Sequence, residues 1–135
     1  SSILQSAQEL FAPLNPTVNF AVGDDFETKR LAMRPDLESR FSDFERYLNK
    51  YDGKYFIDEI PRAAEFALFH HLDLSKKLDP DLLSNFPRLL QFIADVEGIT
   101  AISEYLQTRP ELVNVGVEPN LIINGTAHPT GLQKT

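Results

Sequence analysis

An all-α domain is what this sequence predicts, and three observations predict it. Leu37, Phe41, Phe44, Leu48 and Tyr51 recur at steps of four, three, four and three with polar residues between them, the spacing of one helical face. The stretch Ile60–Asp73, IPRAAEFALFHHLD, carries Ala63, Ala64, Phe66, Ala67, Leu68, Phe69 and Leu72 with no continuous polar face, which places it as the buried hub of a bundle. No segment reads as a core strand with an obvious partner, and no internal repeat or low-complexity run appears.

Taken in order, Ile3, Leu4, Ala7, Leu10 and Phe11 have helical spacing, Ser2 is placed to cap them, and Pro13 and Pro16 are expected to end the run. Asn15 to Gly23 reads as a loop. Asp24 or Asp25 then caps a short helix that stops before Arg34-Pro35, because the residue preceding a proline disfavours helical backbone. Pro35 opens the next helix, whose Asp36 and Arg40 form an i,i+4 pair and whose stop is Gly53 in a left-handed conformation. After the hub, Asp79-Pro80 reads as cap and first position of a brief helix to Ser84, and Phe86-Pro87 opens another with Leu89, Leu90, Phe92, Ile93 and Val96 facing inward up to Gly98. Thr100 is placed to cap a last helical stripe, Ala101, Ile102, Tyr105 and Leu106, that ends at Arg109-Pro110. From Glu111 the pattern changes. Val113, Val115 and Val117 alternate, Leu121–Ile123 is apolar, and Gly125, Pro129 and Gly131 exclude a long helix, so 111–135 is expected to be an extended tail laid on the domain, 1–110, or on a partner.

With 135 residues and 42% hydrophobic content the chain suits one core. A net charge of -7 argues against a phosphate backbone or an anionic membrane surface as partner, since both select lysine and arginine clusters. With no cysteine there is no disulfide, thiolate nucleophile or thiolate metal site, which suits a reducing compartment, cytoplasmic or organellar, rather than secretion. No apolar run is long enough to span a membrane. The chain opens at Ser1 with helical register already established and no signal-peptide pattern, so either something was removed upstream or a fragment is seen.

The run from Leu78 to Pro110, with Leu78-Asp79, Phe86-Pro87, Leu89, Phe92, Val96-Glu97, Ile102, Tyr105-Leu106 and Arg109-Pro110 in order, resembles the second half of the C-terminal helical domain of cytosolic glutathione transferases of the sigma, mu, alpha and pi branch. RPDLESRFSDFERYL and Tyr55 to Phe66 resemble the segments leading into that domain's hub. The resemblance implies a helical bundle without the family's thioredoxin-like, glutathione-binding domain. It implies an apolar cleft or partner interface at Leu4, Ala7, Gln8 and Phe11, with Leu121 or Ile122 from the tail, and a carboxylate, Glu9, at a position that in sigma-like members serves the neighbouring subunit's glutathione. It also places Arg62 and Glu65 at the hub's capping box. Arg62 has no acceptor, so only the Glu65 half of the box is expected, with an Arg62–Glu65 ion pair.

Other chemistry-bearing residues read as structural. His70 and His71 are adjacent, so their rings diverge on a helix and do not share a metal, and no metal site is expected. One imidazole is expected near Tyr51 or Phe69, the other in water or near Asp73, and His128 has no evident partner. Asp79 and Asp81 follow capping logic, and Glu38, Asp43 and Glu45 read as a solvated face. Asn124-Gly125-Thr126 reads as a turn rather than a glycan acceptor, and Tyr47, Tyr51, Tyr55 and Tyr105 as core or rim residues.

The functional expectation is therefore a non-catalytic glutathione-transferase-like domain serving as an interaction or accessory subunit, with protein partners or a homodimer. The alternative is the C-terminal half of an active sigma-like glutathione transferase. Catalytic residues in this chain: none. Cofactor: none, with glutathione entering only through the absent N-terminal domain.

Overall fold

The computed structural model describes residues 2–20 and 23–99, and the backbone of three strands at 111–113, 120–123 and 126–129. The described residues contain five helices: α1, Ile3–Gln8; α2, Phe11–Phe20; α3, Asp24–Asn49; α4, Ala63–Leu78; and α5, Pro87–Glu97. The expected helix at 101–109 lies outside the described residues, as do Val115, Val117 and the Asn124-Gly125 turn.

The Ser2 hydroxyl caps α1 by accepting from Gln5 N–H at 3.0 Å. The helix then breaks at Glu9, four residues before the point the prolines suggested. Pro13 has no N–H to give the Glu9 carbonyl, which instead accepts from Ala12 N–H at 3.1 Å and from Arg40 Nη1 at 3.4 Å. Beyond the break the chain is helical again: Pro13 lies in the first turn of α2, where a missing N–H costs little, and Pro16 is carried inside it. The expected loop from Asn15 is thus mostly helix.

Pro35 likewise ends nothing. α3 runs unbroken for 26 residues through it. Pro35 and Leu31 are both exposed, so the Leu31 carbonyl that loses its i+4 donor lies on the watered side of the helix. Gly23, with φ 56°, precedes this helix in place of an aspartate cap, and Asp24, Asp25 and Glu27 put negative charge on the positive end of the dipole.

The predicted face of α3 is the core: Leu37, Phe41, Phe44 and Leu48 are at most 2% exposed. Opposite it, α5 buries Leu89, Phe92, Ile93 and Val96, while Leu90 turns outward. α4 packs against α1 and α5 and also touches α2. It is central without being buried all round. Glu65, Leu68, Phe69, Leu72, Ser75 and Leu78 face inward, whereas Ala63 and Phe66 are exposed.

Between α3 and α4, Tyr55 and Phe56 fold inward onto Phe92, with ring centroids 6.2 and 6.4 Å away. Gly53 is no left-handed stop: Gly23 is the positive-φ glycine among the described residues, and Gly53 serves close approach, because a Cβ there would strike Glu59 Oε1 and the Tyr51 ring. Pro80 to Asn85 forms turns rather than the brief helix expected.

The tail pairs with itself. β1, Glu111–Val113; β2, Asn120–Ile123; and β3, Thr126–Pro129 form an antiparallel sheet in the order β1-β2-β3. The register sets Leu121 between Leu112 and His128, and pairs Ile123 with Thr126. The sequence, where no segment has an obvious strand partner, does not predict these strands.

Candidate functional site

Three features converge on the first two helices and their neighbours: a groove on the α1–α3 seam, an aromatic contact between α2 and the hub, and buried carboxylates at the hub's two ends.

The groove consists of two adjoining hollows. One, of about 240 Å³, is lined by Ser6, Glu9, Arg40, Asp43, Phe44 and Tyr47. The other, of about 230 Å³, is lined by Ile3, Ser6, Tyr47, Lys50 and Phe56. The broken α1–α2 joint creates it, since Glu9 projects beside the α3 residues that lie one and two turns apart. Arg40 is held by Asp36 at 2.7 Å and Arg46 by Asp43 at 2.7 Å. The Tyr47 ring carries Lys50 Nζ 5.4 Å from its centroid, and Phe44 meets it edge-on at 6.1 Å.

The residues that the resemblance grouped as a cleft do not stay together. Leu4 is half-buried and Gln8 exposed on α1, whereas Ala7 is 0% exposed and belongs to the core, so it lines no open cleft. Phe11 starts a new helix after the break and so does not continue one stripe with Leu4 and Ala7. Its ring, 37% exposed, lies 6.3 Å from that of His71 on the hub. Glu9, expected to reach a neighbour's glutathione, lines the groove toward α3. Side chains of Leu121 and Ile122 lie outside the described residues.

His71 donates its Nδ1–H to the Ala67 carbonyl at 2.9 Å, and His70 meets it edge-on at 5.2 Å. The Nδ1–H tautomer is the one that bonds a carbonyl. The neighbour of the pair is therefore Phe11, rather than Tyr51 or Phe69. Burial pushes the His71 pKa below its ordinary 6.5, His70 adds to the depression, and the Ala67 carbonyl opposes it. A histidine whose native pKa is depressed stabilises the fold above the unfolded value and withdraws that stability as pH falls from about 6.5 through the native value. Thermal melts between about pH 7 and about pH 5 should therefore fall more steeply for the wild type than for His71→Gln; parallel curves would show that this imidazole does not couple folding to pH.

At the start of α4, Glu65 is 2% exposed and accepts from Arg62 N–H at 3.0 Å and from Phe56 N–H at 3.3 Å, tying the preceding loop to the hub. Arg62 has no acceptor to complete the box. Its guanidinium goes to Asp58 through two bonds of 2.7 Å rather than to Glu65, and with the Ile60 N–H this draws the Asp58 pKa down to about 2.

At the other end, Asp79 ends α4 as its C-cap, caps no following helix with its side chain, and is not solvated. Its side chain is 2% exposed and takes Arg30 Nη1 at 2.7 Å and Arg34 Nη1 at 2.8 Å, both from α3. Glu45, also assigned to a solvated face, instead accepts from the Arg88 and Leu89 N–H groups at 2.8 and 3.2 Å and caps α5 from outside, where Phe86 supplies no side-chain cap. Local sequence gave no sign of either link. Burial raises the Tyr55 pKa, and at 3% exposure Tyr55 is a core residue. Among the described residues no group of three metal-ligating side chains occurs, and no helix is long and apolar enough to cross a membrane.

The sequence of residues 14–109 matches the family described as "Glutathione S-transferase, C-terminal domain". Among curated proteins, human glutathione S-transferase Mu 4 is 27% identical over 94 residues, covering 70% of this chain and 42% of its own length. A glutathione S-transferase of Plasmodium yoelii yoelii is 33% identical over 70 residues, 52% of this chain and 34% of its own. Two solved structures share the fold: "Structure of NaGST-2" aligns with a TM-score of 0.66 at 22% identity over 79% of this chain and 52% of that one. The glutathione S-transferase Blo t 8 aligns with a TM-score of 0.65 at 18% identity over 78% of this chain and 49% of that one. The chain thus spans about two fifths of the length of human Mu 4. With the matched region covering the hub, its capping glutamate and the α3 and α5 faces packed upon it, the chain belongs to the glutathione S-transferase C-terminal domain family.

Proposed function

We propose that this domain is the helical half of a glutathione transferase and does no chemistry by itself. The observation that carries the reading is the match of one continuous stretch of 94 residues to a curated transferase of which it spans only 42%. Thiol conjugation requires a site that binds glutathione and lowers the pKa of its sulfur. In this reading a thioredoxin-like domain supplies both, and the helical half supplies the wall for the electrophile and part of a subunit contact, with the tail at 111–135 fastened over it.

Incubating this chain with glutathione and 1-chloro-2,4-dinitrobenzene should give no turnover above the uncatalysed rate. The native polypeptide, recovered from its source with an antibody to this domain, should be larger than 15.3 kDa by a further domain and should conjugate the aryl halide. Turnover by the chain alone, or a native polypeptide near 15.3 kDa without activity, would overturn the proposal.

A second reading, an accessory subunit, is favoured by one feature. The braced loop before the hub holds Ile57 and Ile60 66% and 59% exposed, beside a hub whose Phe66 is 38% exposed. Apolar side chains displayed on a fixed loop suit a protein contact.

A further inference from the structure

Uncommitted charges at the two ends of the α1–α3 groove have opposite sign. In the first hollow, Arg40 is occupied by Asp36 and Asp43 by Arg46, which leaves the exposed Glu9 carboxylate without a hydrogen bond or ion pair among the described residues. Among the described residues that line the second hollow the charged one is Lys50, whose ammonium lies over the Tyr47 ring and meets no carboxylate among the described residues. Between them the groove has Phe44 and Phe56, at 2% and 7% exposure, as floor and Ser6 and Tyr47 as shared walls.

The two hollows are each slightly below the size usual for a small-ligand pocket, and they join through Ser6 and Tyr47 into a groove that reaches it. Length is set by α3. Asp43, beside Glu9 in the first hollow, and Lys50 in the second are seven positions apart, about 10 Å along a helix axis. An α-amino acid, with both charges on one carbon, is too short to meet both ends. A fatty acid satisfies Lys50 but brings nothing to Glu9, and an alkylamine does the reverse.

We propose that this groove binds an elongated zwitterion, a linear apolar body with an ammonium that pairs with Glu9 and a carboxylate that pairs with Lys50. The proposal does not depend on the transferase reading, because every residue it uses belongs to this chain and glutathione takes no part in its test.

Isothermal titration of the whole chain with 8-aminooctanoate should give saturable binding of one ligand per chain. Octylamine and octanoate, each lacking one charge, should bind at least about tenfold more weakly, equivalent to about 1.4 kcal/mol per end. Glu9→Gln and Lys50→Met should each bring 8-aminooctanoate down to that level, and raising the salt should weaken it further. Both positions are exposed, so the fold should survive, as circular dichroism would verify. The charge-exchanged double variant, Glu9→Lys with Lys50→Glu, should recover binding with the ligand reversed. Equal binding of octanoate and 8-aminooctanoate, no saturable binding, or a double variant no better than the single ones would overturn the proposal.

Discussion

Replacing Asp79 by Asn is expected to destabilise the domain by about 2–4 kcal/mol, because it leaves two guanidinium groups at a site built around one buried carboxylate. Arg30 and Arg34 are 19% and 30% exposed, so water relieves part of the cost, and the expected loss lies toward the lower side of what breaking a fully buried pair produces. For a chain of 135 residues this corresponds to a fall in Tm of about 10 °C. The sign of the pair's own contribution is a separate matter, since the desolvation of three charged groups offsets much of their attraction. The variant that removes the whole set, Arg30→Met and Arg34→Met with Asp79→Leu, should therefore be more stable than Asp79→Asn. Were Asp79→Asn to melt within about a degree of wild type, the contact would be a surface pair in effect and the link between α3 and the end of the hub would contribute little.

Truncating Phe92 to Ala should cost about 3–5 kcal/mol by urea denaturation, the range for removing a fully buried aromatic ring and leaving a cavity. Phe92 is 0% exposed and meets Tyr55 edge-on, so its loss also removes the surface on which the loop between α3 and the hub is folded. Amide exchange at Phe56, whose N–H is bonded to Glu65, should accelerate in the variant more than exchange in the middle of α3. Phe66→Ala provides the contrast. Phe66 belongs to the stretch with the most continuous apolar sequence, yet it is 38% exposed, and its truncation should cost no more than about 1 kcal/mol. A loss at Phe66 as large as that at Phe92 would mean that the exposed flank of the hub is covered by another surface.

Phe66 also shows where reading by composition fails. A helix needs one apolar stripe to join a core, and further apolar residues outside that stripe carry no information about burial. On α3 the stripe at steps of three and four was unambiguous, and Leu37, Phe41, Phe44 and Leu48 all face inward. On α4 the apolar residues were too many to choose among, and the choice fell to the neighbours: the inward face takes in Glu65 and Ser75 and leaves Ala63 and Phe66 outside. Proline misled in a related way. At Pro35 the lost hydrogen bond is on the solvent side and the helix continues. At Pro13 the effect is displaced to Glu9, the residue whose carbonyl loses its donor, and the displacement moves Phe11 onto a different helix from Leu4 and Ala7. The grouping of Leu4, Ala7, Gln8 and Phe11 as one cleft depended on an unbroken helix, and for that reason it did not survive, while Glu9 acquired a place in the groove.

What the sequence by itself determined was the helical class, the inward face of α3, nearly all of that of α5, the Ser2 cap, the Pro87 start and the membership of residues 14–109 in the transferase C-terminal family. Each is a short-range property, written in residues within a few turns of one another or in an ordered series of such residues. What only the tertiary structure decided were the contacts of Asp79 with Arg30 and Arg34, 49 and 45 positions away, the capping of α5 by Glu45 across 43 positions, and the placing of Glu9 and Lys50 in adjoining hollows of the α1–α3 groove. An aspartate before a proline is written the same way whether its carboxylate turns back to cap a helix or crosses to another one. The difference is made when α3 brings two arginines to the end of the hub, and desolvation there makes their charge the cheapest partner Asp79 can find.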